Sequence, residues 1–311
     1  MPAVSFIIPT FNRSAILSET LRSLCGAIRG ASAEIVVVNN SKTAKVRVDS
    51  EMIRVLDNPG SGPASGRNFG AKHAAGELLV FLDDDILFSE DNLKRMLQLH
   101  AEHPDSAFNP DWRYSDEMMK RLAETSSGRY TLCVKLIDYR SWVPGLPWRE
   151  HAVFAVPKLA GFCLAIPKKA FVRLGGFPEN FKHLSLEDDD FSKRLLQGGV
   201  KLYIDSTQLV YHNELDRTGL AGRLNRLKAG AINKRRALEL GMTEYRMDFS
   251  GFRFARSAFL SSLKPALLAL AEAIPNSPCF DPIYRRLVDA LIAAVVFEGY
   301  IRGDEGMIPG A

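Results

Sequence analysis

Three adjacent carboxylates, Asp83, Asp84 and Asp85, stand directly after the apolar run LLVFL. Like charges this close repel each other, and confining them beside a sheet is costly unless a cation joins them. Side chains alternate along a strand, so Asp83 and Asp85 are expected to point the same way. Hard oxygen ligands so arranged suit Mg2+ or Mn2+, which keep waters and complete their shells with substrate phosphates. The competing reading is a helix start, because Ser89, Glu90 and Asp91 follow and acids favour helix N-termini. An EF-hand does not fit, since no glycine or bidentate glutamate stands at the required offsets.

A second run, Glu187-Asp188-Asp189-Asp190, lies in LSLEDDDFSKRLLQGG. It is expected to open a helix, where backbone N–H groups lower carboxylate pKa. One of its acids can take a proton from a sugar or alcohol hydroxyl. A capped helix start with solvated acids explains the same spacing. His212 follows the apolar LVY and precedes Asn213-Glu214. A lone histidine there is ordinarily structural. It becomes a metal ligand only by meeting the first acidic run, where imidazole partners carboxylates on Mn2+. The loop from Gly60 to Asn68 sets Gly60, Gly62 and Gly66 ahead of Arg67-Asn68. Backbone N–H groups and an arginine in that setting suit a phosphate or ribose. It is not a Walker loop, having no G-K-[ST], and its glycine spacing is not the dinucleotide fingerprint.

These groups need elements to hold them. Residues 4–8 (VSFII), 34–38 (EIVVV), 53–56 and 78–82 (LLVFL) are short apolar runs that predict buried strands. Between them, residues 14–28 carry apolar side chains at helical spacing with Ser14 as N-cap, and another helix is expected over 68–75. Alternating buried strands and helices predict an α/β fold with an open, mostly parallel sheet, whose ligands bind beyond the carboxyl ends of the strands. Those ends carry PTFNR, NNS and DDD. Residues 105–160 read as loops and short strands on an acceptor side, where Trp112, Trp142 and Trp148 suit either sugar stacking or a core. Further on, 161–166 predicts a strand, 168–174 and 187–196 helices, and 200–204 and 209–211 short strands. The expected division is 1–216, split after 104 into nucleotide-binding and acceptor-binding halves, then a helical extension over 217–311.

The chain has 311 residues, 46% hydrophobic and 24% charged, which excludes disorder as its main state. Lys+Arg 40 against Asp+Glu 36 leaves +4, too mild a balance to make nucleic acid the partner. Four cysteines without a C-x-x-C pair suggest neither a zinc site nor a disulfide framework, and suit a reducing, cytoplasmic compartment. The start, MPAVSFIIPTF, has no basic n-region or cleavage site, so no signal peptide is expected. The longest apolar stretches, such as 287–297, fall short of the roughly 18 residues a membrane span needs.

In order and spacing, VSFIIPTFNR, EIVVVNNS, ASGRNFGAKHAAGELLVFLDDDI, AGFCLAIPKKAFVRLGGFPENF and LEDDDFSKRLLQGG resemble the family 2 glycosyltransferases of the GT-A fold. LEDDDF is also similar to the E-D-D-D stretch of inverting galactosyltransferases. The resemblance implies a Rossmann-like sheet and an enzyme moving a sugar from a nucleoside diphosphate to a hydroxyl, with inversion. It implies Pro9, Thr10, Phe11 and Arg13 in the loop holding the nucleoside, and Arg67 and Asn68 against the nucleotide. Asp83 and Asp85 would be the D-x-D acids for ribose and metal, with Asp84 between them in the donor site. His212 would complete the Asp85 site for Mn2+ or Mg2+. Asp188 would be the catalytic base, with Glu187 beside it. The family usually carries V-D-D-G-S or V-D-N-N-S after its second strand, whereas this chain has Val38-Asn39-Asn40-Ser41. Asn39 would then offer the base N3–H a carbonyl without charge assistance. The implied donor is a UDP-sugar, with dTDP or GDP as alternatives. The implied acceptor is a glycan or lipid-linked glycan of cell-envelope or extracellular polysaccharide synthesis.

Residues 217–236 hold seven basic side chains and no acid, with Leu220, Leu224, Leu227 and Ile232 as an apolar stripe. Such a helix can lie on an anionic membrane, bind an anionic ligand, or dock on the rest of the protein. Two other function classes compete. A sugar-phosphate nucleotidyltransferase needs a glycine-rich G-x-G-T-R-type turn after the first strand, and PTFNR is not one. A non-catalytic scaffold would not need Asp83, Asp85, Asp188 and His212 intact.

Overall fold

The computed structural model describes residues 2–48, 50–143, 145–181 and 186–303. In chain order the first elements are β1 (Val4–Thr10), α1 (Ser14–Ala27), β2 (Ala33–Asn39), β3 (Ile53–Asp57), α2 (Pro63–His73), β4 (Leu78–Leu82), β5 (Ile86–Leu87) and α3 (Glu90–Glu102). Next come β6 (Ser106–Tyr114), α4 (Asp116–Ala123), α5 (Ser126–Cys133), α6 (Tyr139–Trp142), β7 (Val153–Ala155), β8 (Cys163–Pro167), α7 (Lys168–Arg173), α8 (Glu187–Gln197) and β9 (Lys201–His212). The last are α9 (Leu220–Glu239), α10 (Gly251–Ser262), α11 (Lys264–Ala273) and α12 (Asp281–Phe297), followed by a π-helical turn, Glu298–Arg302. The chain divides into two compact units, Met1–Ser115 with Asp138–Lys182 and Glu187–Glu214, and Asp116–Ile137 with His183–Leu186 and Leu215–Ala311.

The first unit is built on one sheet of order β3-β2-β1-β4-β8-β6-β9-β5, with β7 added on β9. β3, β2, β1 and β4 run parallel, and β2, β1 and β4 carry the continuous apolar runs of strands covered on both faces, with the half-buried β3 at the edge. β8 lies antiparallel to β4 and β6, while β6 and β9 are parallel to each other. β6 crosses the region expected to be irregular, and its sequence AFNPDWRY hid it. The register between β6 and β9 shifts at Pro110/Asp111, a place where a residue without an N–H is tolerated. The same shift leaves residues 206–208 outside the ladder, so the two short strands expected there are one strand with a bulge.

Two helix starts differ from expectation. α2 begins at Pro63 rather than at 68, because Gly62 takes a left-handed φ of 85° and a proline at the first position is pre-set for a helix. α1 is capped not by Ser14 but at Arg13, with no side-chain cap, and the Arg13 side chain turns to acids.

In the second unit, Leu224 of α9 packs in a core with Val288, Leu291 and Val295 of α12. α9 buries Lys228, whose Nζ lies 3.4 Å from Glu298. Glu298 also accepts from Lys264 at 2.6 Å and Ser261 at 2.9 Å. Arg223 donates to Thr131, and Arg235 to Glu239 and the Ile301 carbonyl. The basic stretch 217–236 therefore lies on a helix docked through Leu224 and Lys228, while Arg226, Leu227 and Arg236 stay exposed. Among the described residues no helix is long and apolar enough to cross a membrane.

Candidate active site

The strand β4 stops at Leu82, and Asp83–Asp85 form a tight turn in which the Ile86 N–H donates to the Asp83 carbonyl. Strand alternation therefore does not apply, and the three acids divide differently from expectation. Asp84 and Asp85 are both buried and share Arg13, which reaches Asp84 at 2.5 Å and Asp85 at 2.8 Å. Thr10 donates to the second Asp84 oxygen at 2.6 Å, and Thr20 to the Asp84 carbonyl at 2.8 Å. Asp84, Thr10 and Arg13 thus form the buried base of the turn. Pro9 is likewise a buried residue of β1, while Phe11, just past that strand, is 58% exposed.

Asp83 faces the other way. Its side chain is 32% exposed and accepts from Arg67 at 2.8 Å. Its N–H donates to the Phe162 carbonyl, which ties the acid turn to the start of β8. Arg67 is 2% exposed and also reaches Glu187 at 3.4 Å. One guanidinium therefore joins the two acidic runs, which are about a hundred residues apart in the chain. Burial works against the Arg67 charge, but Asp83, Asp188 and Glu187 outweigh it and hold its pKa above the ordinary value. Asn68 has a different task. It donates to the Phe177 carbonyl and to Glu179, both at 2.8 Å, and accepts from the Phe177 N–H at 2.9 Å. Its amide is used on the loop before α8.

The four acids of α8 divide in the same manner. Asp189 pairs with Lys158 at 3.1 Å and Asp190 with Arg194 at 2.8 Å. Glu187 is buried under Arg67. Asp188 accepts from the Gly161 N–H through Oδ2 at 2.8 Å, whereas its buried Oδ1 has no hydrogen-bond partner among the described residues. Burial, then the charge of Glu187, raise the Asp188 pKa to about 7 against the opposing pull of Arg67 and the Gly161 N–H. Position 161 must be glycine for this arrangement. A Cβ there would lie 2.8 Å from Asp188 Oδ1 and 2.9 Å from Arg67 Cζ.

The residues that position Asp188 carry no sequence signal of their own. Asn109 of β6 is fully buried and clamps the 160–163 segment, donating to the Ala160 and Cys163 carbonyls and accepting from the Ala160 N–H at 2.8 Å. Tyr139 donates to Asn109 at 2.7 Å, and Ser192 of α8 accepts from the Leu159 N–H at 3.0 Å. Only the intrusion of an asparagine into the run AFNPDW hinted at Asn109.

His212 ends β9 opposite Ile86, and its Nδ1 is 3.6 Å from Asp85 Oδ1. It is 5% exposed, neither ring nitrogen has a hydrogen-bond partner among the described residues, and Trp112, Trp142 and Phe162 surround the ring. Burial disfavours its charge, but Asp85 overrides this and raises the pKa. Burial likewise opposes the Asp85 charge, yet His212 and Arg13 hold its carboxyl below the usual range. Among the described residues no three His, Cys, Asp or Glu side chains converge on one point. A buried imidazole without a hydrogen bond beside a carboxylate is nevertheless an N,O pair that fits a divalent ion completing its shell from phosphate and water. Of the three tryptophans, Trp112 is core, Trp148 is half-buried, and Trp142 is 38% exposed beside His212.

Asn39 is 1% exposed and its amide is used internally, donating to the Ala44 carbonyl and Asp57 and accepting from the Ser41 N–H. It ties the end of β2 to the Ser41–Ala44 turn and to Asp57 of β3.

The pattern described as glycosyl transferase family 2 matches residues 5–148, and the N-terminal domain of galactosyltransferase matches 150–216. An uncharacterized glycosyltransferase of Haemophilus influenzae is 27% identical over 199 residues, 62% of each chain, so the match spans less than two thirds of that relative. The low-salt glycan biosynthesis hexosyltransferase Agl10 of Haloferax volcanii is 22% identical over 277 residues, 83% of this chain and 88% of its own. The mannosyltransferase PcManGT of Pyrobaculum calidifontis, solved with GDP-Man and Mn2+, has a TM-score of 0.54 at 17% identity, covering 97% of this chain and 88% of its own. TarS 1-349 of S. aureus, solved with UDP-GlcNAc, has a TM-score of 0.50 at 17% identity, covering 98% and 93%. At these identities the two solved structures share a fold with this chain.

Proposed function

The chain belongs to the family 2 glycosyltransferases, and from that premise we propose that it transfers a sugar, with inversion, from a nucleoside-diphosphate sugar to a hydroxyl of a glycan or lipid-linked glycan. The observation that supports this best is Arg67, which contacts Asp83 on one side and Glu187 on the other. It makes one site of an acid suited to the donor and an acid suited to the acceptor.

The chemistry proceeds from Asp188. Its Oδ2 is fixed on the Gly161 N–H, and its Oδ1 takes the proton from the acceptor hydroxyl. The acceptor oxygen forms its bond to the anomeric carbon from the face opposite the diphosphate. The bond from that carbon to the phosphate oxygen breaks, and its electron pair leaves with the nucleoside diphosphate. A pKa of about 7 suits a base working near neutral pH. Arg67 holds Asp83 and Glu187 in register and keeps Asp188 from rising further. Asp83 offers its exposed oxygen to a ribose hydroxyl, and Phe11 offers a flat face to the base. Asp85 and His212 are the residues to hold Mn2+ or Mg2+. When bound, that ion stabilises the negative charge developing on the leaving diphosphate as a Lewis acid.

A panel of UDP-, dTDP- and GDP-sugars tests the assignment, with nucleotide release and thermal shift measured with Mn2+ and with EDTA. One diphosphate is expected to stabilise the protein in a metal-dependent way, and its sugar to be transferred. Full turnover in EDTA would remove the metal from the mechanism, and no response to any donor would overturn the assignment.

A further inference from the structure

Helix α10 is amphipathic in the wrong sense for a helix docked on a protein. It turns its small polar residues inward, where Ser257 and Ser261 are buried and Ser261 donates to Glu298 at 2.9 Å. Phe254 packs its ring edge-on against Phe297, with centroids 5.3 Å apart, but three other large apolar side chains of the helix and its C-cap form an outward stripe. Phe252 is 81% exposed, Phe259 62% and Leu263, at its C-cap, 38%. At about 100° per residue these three lie within roughly 40° of one another, with Ser257 and Ser261 on the opposite side. A globular helix packed for its own stability would bury the phenylalanines and expose the serines.

The charges on α10 indicate what covers this stripe. Arg256 lies beside it on the same face, is exposed, and makes no ion pair among the described residues. Arg253 pairs with the exposed Asp248, at 3.3 Å. A stripe of phenylalanine and leucine edged by unpaired arginine matches the boundary between anionic headgroups and acyl chains. A second copy of the chain fits less well. A two-fold contact sets the stripe against itself and brings the two Arg256 side chains together, where like charges repel. With 12 residues α10 is too short to span a bilayer, so it would lie in the interface plane.

We propose that α10 is a membrane-binding surface, with Phe252, Phe259 and Leu263 entering the headgroup–acyl boundary of an anionic bilayer and Arg256 meeting its headgroups. This assigns membrane contact to a different helix from the basic α9, which docks through Leu224 and Lys228. It does not rest on the transfer chemistry, although it would bring the enzyme to a lipid-linked acceptor.

Flotation of the full chain tests it, using vesicles of phosphatidylcholine with and without phosphatidylglycerol, at low and high salt. The protein is expected to float with phosphatidylglycerol, less so with phosphatidylcholine alone, and less at high salt. The double variant Phe252→Ser, Phe259→Ser should bind at least about tenfold less, since affinity follows the apolar area inserted. Arg256→Glu should lose the preference for phosphatidylglycerol. Both variants should keep the wild-type melting temperature and donor binding, because the altered side chains are solvent-facing. Absence of flotation in every condition, or a double variant that floats like the wild type, would overturn the proposal. Sedimentation velocity without lipid provides the other check. A dimer abolished by the phenylalanine substitutions would assign the face to a second copy instead.

Discussion

In the turn after β4, Arg13 and Thr10 bury Asp84 and leave Asp83 open to Arg67. At the start of α8, Lys158 and Arg194 take Asp189 and Asp190, and Asp188 is left with one oxygen on Gly161 and the other unpartnered. Each run looks uniform as sequence, and each is sorted by its neighbours into acids that hold the fold and acids that face the site. The difference between the runs lies in the sign of the environment. Arginine and histidine keep Asp85 ionised, whereas burial and Glu187 push Asp188 up to about 7. A strongly ionised acid suits a cation, and an acid poised near neutrality suits a proton.

The sharpest way to break this comparison is Asp188→Asn. Turnover should fall about 10²–10⁴-fold, the usual worth of a general base, while metal-dependent nucleotide binding by thermal shift stays unchanged. Equal turnover would remove Asp188 from the role. Next in size is Arg67→Met, which leaves three carboxylates facing one another without their shared cation. Breaking a buried ion pair from one side costs about 3–5 kcal/mol, so denaturant unfolding should show a loss of that order. A change below about 1 kcal/mol would mean that Arg67 does not hold the runs together.

The pH dependence sharpens the comparison further. With an Asp188 pKa of about 7, turnover should rise about tenfold per pH unit below neutrality and level off above it. Stability moves the other way. The folded state keeps a proton that the unfolded chain, with a pKa of about 3.9, has already lost, so between these values this group's contribution falls as pH rises. Asp188→Asn should therefore melt higher than the wild type at alkaline pH, with the gap closing as pH falls toward about 4. A constant gap across that range would mean that the Asp188 pKa is not raised. The smallest effect belongs to Asp190→Ser, which removes an i,i+4 pair with Arg194 and should cost below about 1 kcal/mol in the same unfolding assay.

What the sequence revealed followed the range of the physics. VSFII, EIVVV and LLVFL were legible as strands because a buried parallel strand is apolar throughout and needs no partner to declare itself. β6 was not, since Asn109, Pro110 and Asp111 answer to the clamp on 160–163 and a register shift, both set by distant segments. The acids themselves were visible, but their division was not, because the partners that decide it (Arg13, Arg67, Lys158) come from other parts of the chain. The bonds of the Asn39 amide to Ala44, Asp57 and Ser41 were equally hidden, because Asp57 comes from another strand. α9 shows the same limit, since an apolar stripe says that a face is covered and not by what.

The most direct test of the central claim, that the two acidic runs serve one donor site, is anomalous scattering from Mn2+ in a crystal grown with the preferred nucleoside diphosphate. The peak is expected between Asp85 and His212, with the diphosphate on the ion and Asp188 Oδ1 facing the place of the transferred sugar. A peak away from Asp85, or a diphosphate bound where Asp188 cannot face its sugar, would contradict the account.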